Sequence, residues 1–363
     1  MKPGDIPLFD QLTEASLVVV GGAGGVGKTT VSAALGLALA RAGRRVLVLT
    51  VDPARRLAEA LDHDLGPDPH TVHLPGEPLM DAAMLDPAAS FGRVVEALEV
   101  SRGDRERLLA SRITRELTGG DAGMQELMAI VELERFSLDD RYDVIVLDTP
   151  PSLHALELLD GPARIVGLLS GRTVRTVGRA SGLAGRMGRL PGPGRALGKL
   201  WGADLLTEIA TFLDAASPFG RALSDHLDHA EELLRSDRAA FALVGAPAEE
   251  PLHAIGDLSA ELRRRGYPVA GTIINRRRAP MRENVDAQIL ARLAGELTDE
   301  GLERAAELAA YAQAVLEHEQ ELLDAAALPA PRIELPERAA QESPAEVLMG
   351  LADWLARDQS DVH

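Results

Sequence analysis

The sequence predicts an α/β fold: a mostly parallel, twisted sheet with helices on both faces and helical insertions forming a subdomain. Three observations carry that expectation. Short apolar runs rich in β-branched residues recur along the chain, long Ala- and Leu-rich helical patterns separate them, and the polar motifs fall just past the ends of the runs. Strands that are apolar throughout are buried on both faces, which is the signature of a helix-covered parallel sheet. In such sheets ligands bind beyond the carboxyl ends of the strands.

Ser16 to Val20 reads as a buried strand ended by glycines, and Thr29 to Ala42 as a helix closed by Gly43. Arg45 to Thr50 is a second strand. Mostly helical sequence follows, including Gly123 to Phe136, before the strand Tyr142 to Asp148. Ala240 to Gly245 and Val269 to Asn275 are further strands, and Pro331 to Leu335 is a weaker last one. Met281 to Ala327 has the composition of one or two helices, and Ala345 to Ala356 that of a terminal helix. No internal repeat occurs. The expected organisation is one domain over residues 1–363, with helical insertions near 76–140 and 152–238 and a helical segment at 281–327.

Composition narrows the function. With 38 basic against 56 acidic residues the net charge is −18, which argues against a nucleic-acid partner. The chain has no cysteine, which excludes disulfides and thiolate metal sites. The N-terminus lacks the apolar centre of a signal peptide, and no stretch reaches the ~18 apolar residues of a membrane span. A cytoplasmic protein is therefore expected, peripheral at the membrane at most. From Gly161 to Ala203 there is no acidic residue, while Arg164, Arg172, Arg175, Arg179, Arg186, Arg189, Arg195 and Lys199 are basic. That stretch is either a lid, a contact for anionic headgroups or a partner, or a solvated loop.

Gly22-Ala23-Gly24-Gly25-Val26-Gly27-Lys28-Thr29 fits G-x-x-x-x-G-K-[ST] between a strand and a helix. In that context backbone N–H groups of the loop wrap phosphates at a helix N-terminus. Glycines at 24, 25 and 27 admit close approach. Lys28 reaches the β- and γ-phosphates, the Thr29 hydroxyl is a Mg²⁺ ligand, and Thr30 follows at the same helix start. The same letters also spell G-x-G-x-x-G, with Asp52 where a dinucleotide fold places its ribose-binding acid. The Lys28-Thr29 pair, a second acid at Asp148 and Pro53 directly after Asp52 decide for the phosphate loop, and hence for ATP with Mg²⁺.

Asp148 ends the strand one over from the loop, where such a site orients Mg²⁺ or water; otherwise it caps a turn. Asp52 either positions the attacking water or N-caps a helix with Pro53 at its first position. Asn275, ahead of three arginines, either reads an adenine edge or makes a turn. The helix carrying Met124, Leu127, Met128, Val131 and Leu133 either lines a client groove or packs into the core.

GGAGGVGKTT, TVDPARRLAEAL and VLDTPPSLHALELL resemble the phosphate loop and two switches of the ArsA-type ATPases, which include arsenite-pump and tail-anchored-protein-targeting ATPases. FALVGAPAEEPLHAIGDLSAELRRRGYPVAGTIINRR resembles their adenine-side strand–helix–strand, and the likeness runs in order from about Leu17 to Leu335. It implies an ATP-driven dimer, with itself or a paralogue, whose nucleotide state drives a helical region handling a protein or membrane-associated client. It also implies Asp52 as the water-positioning acid, Asp148 as the Mg²⁺-side acid and Asn275 as the adenine contact.

Departures matter. Ala23 stands where the family has a signature lysine, the family's metal-binding cysteines are absent, and Arg55-Arg56 occupy a usually less charged part of the first switch. Slow hydrolysis in a homodimer, completion of the site by a paralogue, or local substitution by Arg55 or Arg56 would each accommodate Ala23. Two rival functions remain: a nucleotide-sensing subunit with little hydrolysis, and a partition or positioning ATPase, which the acidic C-terminal helix does not suit.

Overall fold

The structure is a computed structural model that describes residues 6–52, 55–97, 101–110, 124–149, 223–278, 299–339 and 341–357. Its centre is an eight-stranded sheet in the order β3-β4-β2-β5-β1-β6-β7-β8. The strands are β1 (Leu17–Gly22), β2 (Val46–Thr50), β3 (His70–Val72), β4 (Met80–Met84), β5 (Val144–Asp148), β6 (Ala239–Gly245), β7 (Val269–Arg277) and β8 (Arg332–Pro336). Every neighbouring pair is parallel except β3 with β4. The α/β class and the six strands read from the sequence are thus observed.

Apolar runs without alternation arise because both faces of each central strand are buried. Leu17 and Val19 of β1, Leu47 and Leu49 of β2, and Ile145 and Leu147 of β5 join one core. Their neighbours Val18, Val20, Val46, Val48, Val144 and Val146 join the other. The period-2 geometry of a strand sorts them. The first core is closed by helices α4 (Pro87–Ala97), α6 (Met124–Ser137), α7 (223–235) and α8 (Glu249–Arg264). The second is closed by α1 (Leu8–Glu14), α2 (Lys28–Arg41), α3 (Arg56–Leu61) and α10 (Pro344–Ala356). A short α5 (Arg102–Ala110) and the long α9 (Asp299–Ala325) complete the described helices.

Helix α2 is buried nearly all round, so its Ala and Gly content is a packing requirement rather than a propensity effect. At Gly36 a Cβ would lie 2.4 Å from Val48 Cγ2, so helix and sheet approach as only glycine allows. Helix α10 starts with a full capping box, the Ser343 hydroxyl accepting from Glu346 N–H and the Glu346 carboxylate accepting from Ser343 N–H. On α6, Leu127, Met128, Val131 and Leu133 are all in the core, so of the two readings for that stripe the packing one holds for them.

Two strands escape the sequence reading. Strand β4, MDAAM, falls within the segment 76–140 expected to be a helical insertion; it holds two alanines and an aspartate where β-branched residues would announce a strand, and it is extended because it pairs with β2. Strand β3 is a three-residue antiparallel edge. The helical segment 281–327 is one helix over the part described, Asp299–Ala325. Most of the insertion 152–238, with the basic stretch Arg164 to Lys199, lies outside the described residues.

Candidate nucleotide site

Strand β1 lies in the middle of the sheet with β5 on one side and β6 on the other, and the loop Gly22 to Thr29 leaves its carboxyl end into α2. Two glycines there are obligatory. Gly22 has φ +148°, and a Cβ on it would stand 2.0 Å from the Val244 carbonyl oxygen of β6. Gly27, the N-cap of α2, has φ +89°, and its Cβ would stand 2.5 Å from Asn275 Nδ2.

Lys28 folds back over the loop and donates from Nζ to the Ala23 carbonyl oxygen at 2.9 Å. It is buried, and that desolvation pushes its pKa below the ordinary lysine value; Asp148 and Asp52 pull it up in part, while Arg56 pushes it further down. A phosphate in the loop would offer the ammonium a stronger, charged acceptor than the carbonyl it now uses. Ala23 itself is buried in the second core, so its methyl leaves no extended polar side chain at that point of the loop.

Asp148, at the end of β5, is buried and receives three hydroxyls. Thr29 donates to Oδ2 at 2.8 Å, Thr50 to Oδ2 at 2.9 Å and Ser32 to Oδ1 at 3.3 Å. Burial raises its pKa above the ordinary carboxylate range, against the opposing pull of these hydroxyls and of Lys28. Hydroxyl and carboxylate oxygens side by side, in a place where an uncompensated carboxylate is costly, are the donor set a hard divalent cation takes. The residues therefore fit Mg²⁺. Neither Thr50 nor Ser32 stood out in the sequence. Ser32 follows Thr29 by one helical turn and Thr50 ends the strand before Asp52, so both were discoverable once β2 and β5 were known to be neighbours.

Asp52 lies beyond β2 at the edge of the cleft, its backbone N–H donating to Thr50 Oγ1 at 3.2 Å. Its Oδ2 accepts from Arg56 Nη1 at 2.9 Å. The helix-capping alternative is not what forms: α3 begins at Arg56, its N-cap is Arg55 at φ +53°, and that cap makes no side-chain hydrogen bond. Asn275 is buried near the end of β7 and donates from Nδ2 to the Val26 carbonyl oxygen at 2.9 Å. It makes no turn: the strand continues to Arg277.

A cleft of about 660 Å³ is lined by Gly25, Gly27, Lys28, Thr29, Thr30 and Asp52 among others, while Asp148 and Asn275 lie outside its lining. Val26 contributes only its carbonyl, since its side chain is in the core. Arg56, one of the two arginines considered as a substitute for the missing lysine, also lines it, as do Arg276 and, around the start of α10, Glu342 and Val347, which the sequence did not single out. The next arginines, Arg277 and Arg278, turn away and pair with the buried Glu319 of α9 at 2.7 and 2.9 Å.

A central parallel strand running into a glycine loop and a helix, with lysine, threonine and a strand-end acid converging beneath a cleft, is the architecture of a P-loop NTPase. Comparison with known proteins narrows the class. The anion-transporting ATPase (ArsA) family model matches residues 15–294, and the chain belongs to that family. Among curated relatives it is similar to ATPase ARSA2 of Chlamydomonas reinhardtii, 34% identical over 54% of this chain and 51% of that protein. It is also similar to ATPase get3 of Schizosaccharomyces japonicus, 30% identical over 50% of this chain and 57% of the other. ATPase ASNA1 homolog 1 of Paramecium tetraurelia is 32% identical over 40% and 43% respectively. The chain thus spans about half the length of the curated relatives it matches. Among the described residues no helix is long and apolar enough to cross a membrane.

Proposed function

We propose that this protein binds Mg²⁺–ATP in the cleft above Lys28 and hydrolyses it to ADP and phosphate as the switch of a client-handling cycle. The observation that carries this reading is the contact of Thr29 and Asp148 at 2.8 Å beside the buried Lys28, within a loop of the P-loop pattern. Lys28 would exchange the Ala23 carbonyl for the β- and γ-phosphate oxygens. Thr29 and Asp148 would hold Mg²⁺, which when bound would offset the charge of the phosphates.

Asp52 accepts a hydrogen bond from the attacking water and sets its direction. The water oxygen bonds to the γ-phosphorus as the bond from that phosphorus to the β,γ-bridging oxygen breaks. The bond's electron pair leaves with ADP, and the water's proton passes to phosphate or solvent. Asn275 holds Val26 and Gly27 in place and presents its carboxamide oxygen to the exocyclic amine of adenine.

The relatives' designation as ATPases supports the hydrolytic part. Work as a dimer, on a protein or membrane-associated client, rests on the family resemblance. A second reading, a nucleotide sensor with slow turnover, is favoured by Ala23: the loop brings a single lysine, and Asp52 is engaged by Arg56. The test is ATP affinity, turnover and oligomeric mass of the purified protein against Lys28→Ala. Binding and turnover should drop at least ~100-fold in the variant, in line with losing a main charge on the transferred group. A wild type that binds no ATP, or a variant equal to it, ends the proposal; binding without turnover selects the sensor.

A further inference from the structure

The cleft contains one cation whose present partner is ill suited to keep it. A triphosphate brings more negative charge than Lys28 and one Mg²⁺ neutralise, so a second cation from the protein is called for electrostatically. The chain has two arginines in tandem at the edge of the site, and the structure separates their roles. Arg55 turns outward and pairs with the exposed Asp64 at 2.6 Å. Arg56 lines the same cleft as Lys28 and Thr29, and its charge is felt at Lys28.

Arg56 holds Asp52 Oδ2 through Nη1 at 2.9 Å, the one hydrogen bond its guanidinium makes among the described residues. The two ends of this ion pair are unequal. The Arg56 side chain is 61% exposed and the Asp52 side chain 18%. An ion pair with an exposed member is weak, whereas a guanidinium on a phosphate oxygen inside a cleft makes charge-assisted and often bidentate bonds. The long side chain is the one free to move, and the better acceptor would lie within the cleft it already lines.

We propose that Arg56 is a γ-phosphate-binding residue of this site, exchanging Asp52 for the terminal phosphate when a triphosphate is bound. The inference rests on the ATP reading above and names the group that distinguishes ATP from ADP. The exchange has two consequences. Transition-state charge on the transferred phosphoryl group is met from within the same chain, and Asp52 Oδ2 exchanges the guanidinium for the water. In the empty or ADP-bound site the pair re-forms and Asp52 is occupied. Arg56 is also the first residue of α3, so the exchange links the phosphate count to the position of that helix.

Affinities for ATP and for ADP, each with Mg²⁺, and turnover of the full chain test this in Arg56→Gln, Arg56→Lys and Asp52→Asn. Arg56→Gln should bind ADP as the wild type does, lose about 10-fold or more in ATP affinity, and lose ~10²–10³ in turnover, by comparison with losing an arginine finger. Unchanged ADP affinity doubles as the check that the variant is folded. Arg56→Lys should recover part of the ATP preference, and Asp52→Asn should raise ATP affinity several-fold, because the arginine no longer leaves a carboxylate. An Arg56→Gln protein with wild-type ATP:ADP preference overturns the proposal. So does one that turns over faster than wild type, since Arg56 would then only restrain Asp52. A wild type that binds neither nucleotide fails at the earlier step, the ATP reading itself.

Discussion

The two acids of the candidate site are held in opposite ways. Asp148 is buried at the end of a central strand, met by Thr29, Thr50 and Ser32 from two different elements, and cannot move without breaking all three bonds. Asp52 lies past the end of its strand, and its carboxylate pairs with Arg56, an exposed arginine four residues on. The first arrangement is built before any ligand arrives. The second is a contact that a ligand can replace. A site that must bind tightly and also respond to what it has bound needs both kinds of acid, and the difference in burial assigns which is which.

Asp148→Asn attacks the rigid half. Turnover with Mg²⁺ should fall by about 10²-fold or more, comparable to losing one oriented catalytic group. The ligand-free protein should melt no lower than wild type, because the substitution removes a buried charge that only hydroxyls and Lys28 offset. A coupled drop in melting temperature and turnover would mean that Asp148 is a structural residue first. Turnover and thermal denaturation, with and without EDTA, read the two effects apart.

Asn275→Ala probes the contact that ties the loop to β7. It leaves the Val26 carbonyl without its partner, at a cost of about 1–3 kcal/mol. It should weaken ATP and ADP equally, because the bond positions the loop and not the γ-phosphate. Parallel titrations with the two nucleotides check this; a loss confined to ATP would contradict it.

Asp148 should also make stability depend on pH. The folded Asp148 carboxyl holds its proton more tightly than the unfolded chain does. Its protonation therefore contributes stability that is fully present below the unfolded value of about 3.9 and is lost as pH rises through the raised folded value. Denaturant titrations across that interval should show the ligand-free wild type losing stability that Asp148→Asn does not lose. Saturating Mg²⁺–nucleotide should flatten the difference, because a cation favours the charged carboxylate.

The smallest effect belongs to Arg55. Its pair with Asp64 is solvent-exposed on both sides, so Arg55→Gln should change stability by less than ~1 kcal/mol and leave the ATP:ADP preference as it is. Set beside Arg56→Gln, it controls for the loss of a neighbouring charge.

Much of this was legible in the letters of the chain. Continuous apolar runs announced a two-sided parallel sheet because burial on both faces leaves no polar positions to alternate. Gly22, Gly27, Lys28 and Thr29 announced a phosphate loop because the required backbone angles and charges admit few other residues. Asp148 and Asp52 were singled out because each stands at or just past the end of an apolar strand, where ligands of a parallel sheet bind.

Pairing was not legible. Strand β4 has no local strand signal and exists through its partner β2. The roles of Thr50 and Ser32 depend on strand order, which puts β5 between β2 and β1. Of two adjacent arginines with identical chemistry, only the path of the chain into α3 turned Arg56 to the cleft and Arg55 to Asp64. Local sequence by itself determined which chemical groups the site has, because backbone conformation and charge are properties of single residues and short spacings. Tertiary structure decided which of those groups meet, because burial and distance belong to the folded chain.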